Sequence, residues 1–286
     1  MGEPTASSLG IKIQKAVDLI AQLEGAVVAL SAGVDSSLVA LLAHRALGDQ
    51  AVAVTGVSES LPAEELEVAK QTARDIGIRH LTVRTNELDN PDYSSNPKDR
   101  CYYCKETLYG ELKTIAKRLG IQSILDGTQV DDLGDDRPGL RAAREAGVVS
   151  PLLLSSFSKL EVREAAKTLG LTVWDKPAMP CLSSRVAHGE DITNEKLRMI
   201  EQAELFIRNM TGVRELRVRY IGSAARVEVS PDERRIFFDE RIMDRVDAEL
   251  RRLGFTNVAI DLRGYSRKQK LPETESIVLP LADASR

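Results

Sequence analysis

Four groups of residues have the types and spacing to do chemistry. In Ser31-Ala32-Gly33-Val34-Asp35-Ser36-Ser37, small and hydroxyl-bearing residues stand between an apolar run (26–30) and a helical pattern (35–47). Small residues let backbone amides close on an anion, and a helix starting near Asp35 offers unpaired N–H groups and a positive dipole end. The Ser31, Ser36 and Ser37 hydroxyls would add donors for phosphate oxygens. A plain Asp/Ser helix cap after a buried strand has the same composition. No lysine follows, so this is not the Gly-Lys-Ser/Thr phosphate loop.

The second group is "RCYYCK", with Cys101 and Cys104 at the start of a helical pattern, and Cys181 far along in "PCLSSR". Three apart on a first helical turn, two thiols face one way and the helix dipole favours their thiolate form. If the fold brings Cys181 to the pair, the trio could bind zinc with His188 as Cys3His, or a 4Fe–4S cluster with one iron free to carry an extra sulfur. A redox pair, or three unrelated buried thiols, would read the same. The third group, "DGTQVDDLGDD", holds five aspartates in eleven residues. Gly127 and Thr128 at a strand's carboxyl end would contact a nucleotide, and Asp131 with Asp35 would help hold Mg²⁺; a solvated acidic loop is the bland reading. The fourth is Arg217 and Arg219, which alternate on a strand pattern and share a face. With Arg226 on the next strand they suit a phosphate, although exposed edge arginines would look alike.

Elements must position these groups. Apolar runs at 26–30, 51–57, 80–84, 123–127 and 150–154 read as strands, alternating with helical patterns at 35–47, 62–76, 101–119, 138–146 and 158–169. Such alternation predicts an α/β fold, a parallel sheet with helices on both faces, with ligands at the carboxyl ends of the strands. From about 190 the texture changes to a helix capped by Thr193, two alternating strands (215–221, 225–230), a charged helical region (231–253) and a last strand (256–263). We therefore expect two domains, 1–190 and a smaller α+β unit at 191–286. The joining segment "WDKPAMPCLSSRVAHGED" carries too much chemistry for a passive linker.

Bulk properties narrow the partners. The net charge of −4 and pI near 5.6 argue against a nucleic-acid partner, which usually faces a basic surface. No apolar run approaches a membrane span and the start has no secretory pattern, so we expect a cytoplasmic protein without a membrane partner. Three cysteines in such a chain point to metal or catalysis rather than a disulfide framework.

The Ser31–Ser37 segment resembles the PP-loop, Ser-Gly-Gly-X-Asp-Ser, of the ATP pyrophosphatases, with Ala32 for the first glycine. An alanine fits there if its φ stays negative. Together with "RCYYCK", "DGTQVDDLGDDRPGLRAA", "SKLEVREAAKTLGL", "WDKPAMPCLSSR" and "LRVRY…ARVEV", it resembles the LarE family from about residue 11 to 265. The resemblance implies a PP-loop (adenine nucleotide alpha hydrolase-like) fold. It also implies ATP-dependent sulfur transfer to both carboxylates of pyridinium-3,5-biscarboxylic acid mononucleotide, for the nickel-pincer cofactor of lactate racemase. ATP adenylates a carboxylate, pyrophosphate leaves, and a sulfur nucleophile then displaces AMP. Some members sacrifice the cysteine matching Cys181; others use three cysteines for a 4Fe–4S cluster that carries added sulfide. Cys101, Cys104 and Cys181 match the second kind. The resemblance further implies Arg217 and Arg219 for the substrate phosphate, Arg185 for a neighbouring charge, homo-oligomers built through the second domain, and a sulfide donor. A tRNA thiolase shares this logic but needs a basic surface; an ammonia-using NAD or GMP synthetase would leave the cysteines idle; a nucleotide sensor or zinc scaffold would not turn over ATP.

Overall fold

The computed structural model describes residues 8–134 and 138–265. Along the chain, helix α1 (Ser8–Ala21) leads into β1 (Ala26–Ala29), α2 (Val34–Leu47), β2 (Ala51–Val57), α3 (Ala63–Ile76), β3 (Arg79–Arg84), the single turn α4 (Pro91–Ser94), α5 (Arg100–Leu119) and β4 (Ser123–Leu125). There follow α6 (Pro138–Glu145), α7 (Pro151–Leu154), α8 (Lys159–Thr168), α9 (Asn194–Thr211), β5 (Leu216–Ile221), β6 (Ala224–Val229), α10 (Glu240–Arg252) and β7 (Val258–Ile260).

The first four strands form a parallel sheet in the order β3-β2-β1-β4. β1 is buried on both faces because successive side chains alternate. Ala26 and Val28 join a core with α1, α2 and α8, while Val27 and Ala29 join a second core with α5 and α6. Helix α2 is covered on nearly every side; residues Leu38 to Ala43 are all buried, and their small or branched side chains let sheet and helices close around it.

The expected strand at 150–154 is a correction. Only Val149 bridges to Leu125, and Pro151 then opens α7. Proline has no N–H for a ladder, and its fixed φ suits a first helical turn. The charged region at 231–253 likewise divides, into a 3-10 turn (Arg234–Phe238) and α10.

The second sheet has the order β5-β6-β7, antiparallel then parallel, with α9 and α10 packed on it. As expected, the Thr193 side chain caps α9, accepting from Lys196 N at 3.2 Å. Its core also takes in Tyr93, Leu182, Val186 and Ile192, with Cys104 packed against it. The start of α5 and the segment around Cys181 therefore meet on the second core. Among the described residues no helix is long and apolar enough to cross a membrane.

Candidate active site

The turn after β1 is built to leave amides free. Gly33 caps α2 with extended backbone (φ −79°, ψ 154°) and no side-chain cap, so the first N–H groups of α2 face the open end of the sheet. Ser36 Oγ donates to Gly33 O and accepts from Ser31 N, both at 3.1 Å, which ties the turn to itself. The buried Ser37 hydroxyl and Asp35 Oδ1 have no hydrogen-bond partner among the described residues. Ala32 departs from expectation. Its φ is +59°, the left-handed region, where a methyl is strained; its carbonyl accepts from Lys176 Nζ at 3.1 Å, and Lys176 also pairs with Glu65 at 2.7 Å.

Gly127 explains how the acidic stretch meets this turn. A Cβ there would lie 2.7 Å from Ser36 N and 2.8 Å from the Asp35 carbonyl carbon, backbone that cannot swing aside. Gly127→Ala is expected to destabilise the protein by about 1–3 kcal/mol, as overpacking does, and to weaken ATP binding by shifting the amides of α2. Calorimetric titration with ATP checks this; wild-type affinity in the variant would remove Gly127 from the site.

Next to it, Asp126 is 5 % exposed and accepts from Ser150 Oγ (2.6 Å), Thr128 Oγ1 (2.8 Å), Thr128 N (3.1 Å) and Tyr109 OH (3.2 Å). It anchors the turn after β4 and holds the Thr128 hydroxyl, a role that sequence reading missed. Asp131 accepts from Lys159 N at 2.5 Å, and the Lys159 ammonium reaches Asp35 Oδ2, so one residue links the two aspartates. Lys159 was also missed, although the Ser158-x-x-Glu161 capping box that sets the start of α8 is plain in the sequence. Asp135 and Asp136 lie outside the described residues.

The three cysteines are free. Cys101 and Cys104 sit on the first turn of α5; Cys181 precedes the turn Leu182–Arg185. Cys181 is near enough to the pair for the three to feel one another's charge. Their placement comes from a shared network: Tyr93 OH bonds Ser183 Oγ at 2.7 Å, Arg100 donates to Ser183 O at 3.1 Å and to Asn96, and Leu182 N donates to Ser60 O at 2.8 Å. At Cys104 the expected dipole-stabilised thiolate is a second correction. Burial, and next the charge of Glu87, push the Cys104 thiol up to about 12. Burial also raises Cys181, against the pull of Arg100. In metal-free protein at pH 8, the exposed Cys101 is expected to react with iodoacetamide well before the other two. Equal rates, read by mass spectrometry, would contradict this burial pattern.

Among the described residues no three His, Cys, Asp or Glu side chains converge tightly enough for a single metal ion. The Cys3His zinc set with His188 is thus not formed.

The arginines divide. Arg185 is 0 % exposed and is held by Glu204 at 2.9 and 3.2 Å, Cys181 O at 3.0 Å and Ser184 Oγ at 3.1 Å, as a strut under the Cys181 segment. Arg217, 3 % exposed, donates to Ala178 O at 2.8 Å and Leu216 O at 2.6 Å and lies 4.8 Å from the Tyr265 ring centre. No described carboxylate pairs with it; burial, then the nearby Arg185 charge, lower its pKa. Arg219 and Arg226 flank Glu228, at 2.9 and 2.8 Å.

Comparison with known proteins adds a lineage. The NAD synthase family model matches residues 8–100. The chain is 35% identical to the pyridinium-3,5-bisthiocarboxylic acid mononucleotide synthase of Lactiplantibacillus plantarum, over 91% of this chain and 93% of that protein. It is 45% identical to the uncharacterized protein slr1717 of Synechocystis, over 89% and 94%. A subunit of the glutamine-hydrolyzing GMP synthase of Pyrococcus horikoshii is 26% identical, over 64% of this chain and 63% of that subunit.

Proposed function

The chain belongs to the LarE family, the pyridinium-3,5-bisthiocarboxylic acid mononucleotide synthases, and from that membership we propose that it uses ATP to turn the carboxylates of a pyridinium dicarboxylate mononucleotide into thiocarboxylates. The observation that carries this reading is the pairing of an uncapped helix start at Gly33 with three free cysteines at the start of α5 and in the Cys181 segment that packs beside it.

A carboxylate resists nucleophiles, so it must first gain a better leaving group. One carboxylate oxygen attacks the α-phosphorus of ATP and pyrophosphate departs; the free amides of α2 and the Ser36 and Ser37 hydroxyls are suited to holding the phosphates. Mg²⁺ fits beside Asp35, whose Oδ1 has no partner among the described residues while Lys159 balances Oδ2. Sulfur then attacks the acyl carbon and AMP leaves. Arg217, a buried cation that no described carboxylate pairs with, is suited to the substrate phosphate, with Arg219 on the same face.

The thiols fit a 4Fe–4S cluster. Three soft donors need not meet at one point when each binds its own iron, and the buried Arg100, which no described carboxylate pairs with, supplies counter-charge beside Cys181. Held by Cys101, Cys104 and Cys181, such a cluster would supply sulfide on the iron that no cysteine binds. The exposed Phe238, Met243 and Leu262 of the second half suit contact with further copies of the chain.

The test is AMP formation by anaerobically purified protein. AMP and pyrophosphate should appear only when the pyridinium dicarboxylate mononucleotide is present, with thiocarboxylate following when sulfide is supplied. AMP formation indifferent to that substrate would overturn the reading.

A further inference from the structure

Glu87 is a buried carboxylate that the steps above do not use. It lies just beyond the carboxyl end of β3, in the short turn Glu87–Asp89, and is 3 % exposed. Its Oε1 is firmly placed, accepting from Ser58 Oγ at 2.5 Å and Ser60 Oγ at 2.9 Å. Its Oε2 is buried and has no hydrogen-bond partner among the described residues. A carboxylate oxygen removed from water and left unbonded is costly, so natural structures rarely leave one without a reason. The reason should lie where that oxygen is. Ser60, which fixes Oε1, also receives Leu182 N through its carbonyl at 2.8 Å, so Glu87 and the residue after Cys181 hang from one short segment. On the other side, Leu88, the next residue, packs on the same core as Tyr93 and Cys104, which puts the Glu87 carboxylate close enough to raise the Cys104 thiol. The residue that carries the free oxygen is thus joined to the segments of both Cys104 and Cys181.

We propose that Glu87 Oε2 is the exchangeable fourth ligand of the iron–sulfur cluster, closing the iron that no cysteine holds until hydrosulfide displaces it. The inference rests on the cluster reading above. The exchange is a ligand substitution: an iron–oxygen bond breaks, an iron–sulfur bond forms, the carboxylate leaves with its electron pair, and no electron is transferred. Its use is protection, since an iron open to water is the corner from which a cubane is hydrolysed and lost. The Ser58 and Ser60 hydroxyls keep the carboxylate at hand when sulfide is bound.

The experiment reads the ligand directly. The full chain, wild type and Glu87→Gln, is reconstituted anaerobically with iron and sulfide, freed of excess sulfide, reduced, and examined by electron–nuclear double resonance in ¹⁷O-labelled water. A glutamine oxygen can still accept from Ser58 and Ser60 but is a poor iron ligand. The expected result is no water ¹⁷O coupling in the wild type and a clear coupling in Glu87→Gln, with sodium sulfide removing it. Glu87→Asp, too short to reach, should behave alike and serves if the glutamine variant does not assemble. Water coupling of equal size in wild type and variant overturns the proposal, as does its absence from both. Roughly four irons per wild-type chain, with either of those results, leaves the cluster reading standing without Glu87; no cluster in the wild type removes both.

Discussion

Cys181→Ser is expected to stop thiocarboxylate formation, by about a thousandfold or more, the scale seen when an essential reacting group is removed, while AMP formation persists. The two halves of the reaction rest on different residues. The amides of α2 and the serines proposed to hold ATP belong to the turn after β1, whereas Cys181 lies in the segment tied to Ser60, Tyr93 and Glu204. A hydroxyl can keep the Cys181 position packed but is a weak ligand for iron and a weak nucleophile. Activated substrate should therefore form and then hydrolyse, giving AMP without sulfur-containing product. Liquid chromatography of AMP and thiocarboxylate from one sample measures both. Parallel loss of the two would mean that Cys181 shapes the nucleotide site instead.

Arg185→Leu should cost about 3–5 kcal/mol of stability, the usual penalty for removing one partner of a buried ion pair. The pair's side chains are 0 and 5 % exposed, and among the described cations Glu204 would keep only Arg208, at 3.8 Å. A typical domain has about 5–15 kcal/mol in total, so the variant should unfold at far lower urea. The double variant Arg185→Leu/Glu204→Leu should recover part of the loss but not all, because Glu204 also accepts from Val218 N at 3.0 Å. A urea midpoint equal to wild type in the single variant would show that water reaches the pair. This result also bears on the expected role of Arg185 near the substrate: its donors are already engaged, so any such effect would work through the Cys181 segment.

What could be read from the sequence is what is local. The parallel strands at 26–30, 51–57 and 80–84, the helices between them and the Thr193 cap follow from periodicity and end signals a few residues long. The run at 150–154 misled because Leu-rich segments suit either state, and Pro151 carried the decisive information. The phosphate turn was visible, but the backbone angle of Ala32 was not: Lys176, 144 residues away, grips its carbonyl. The cysteine spacing pointed to a metal site or chemistry and the family resemblance to a cluster, yet the state of the thiols depends on burial that only packing creates. Asp126, Lys159, Arg100 and Glu87 escaped notice for one reason. Each is an ordinary polar residue whose meaning lies in a partner distant along the chain, as with Lys159 and Asp35, 124 residues apart.

The meeting of the two halves has a thermodynamic consequence. Tyr93 and Leu182 lie in the core that α9 and β5 build, Ala63 N is held by Glu201 at 2.8 Å, and Glu64 by Arg208 at 2.7 Å. Neither half can melt without stripping the other of buried contacts, so heat should reveal one cooperative transition. A ligand that touches only the nucleotide turn then raises the melting temperature of the whole chain, by linkage, and a probe on α10 would report ATP it never meets.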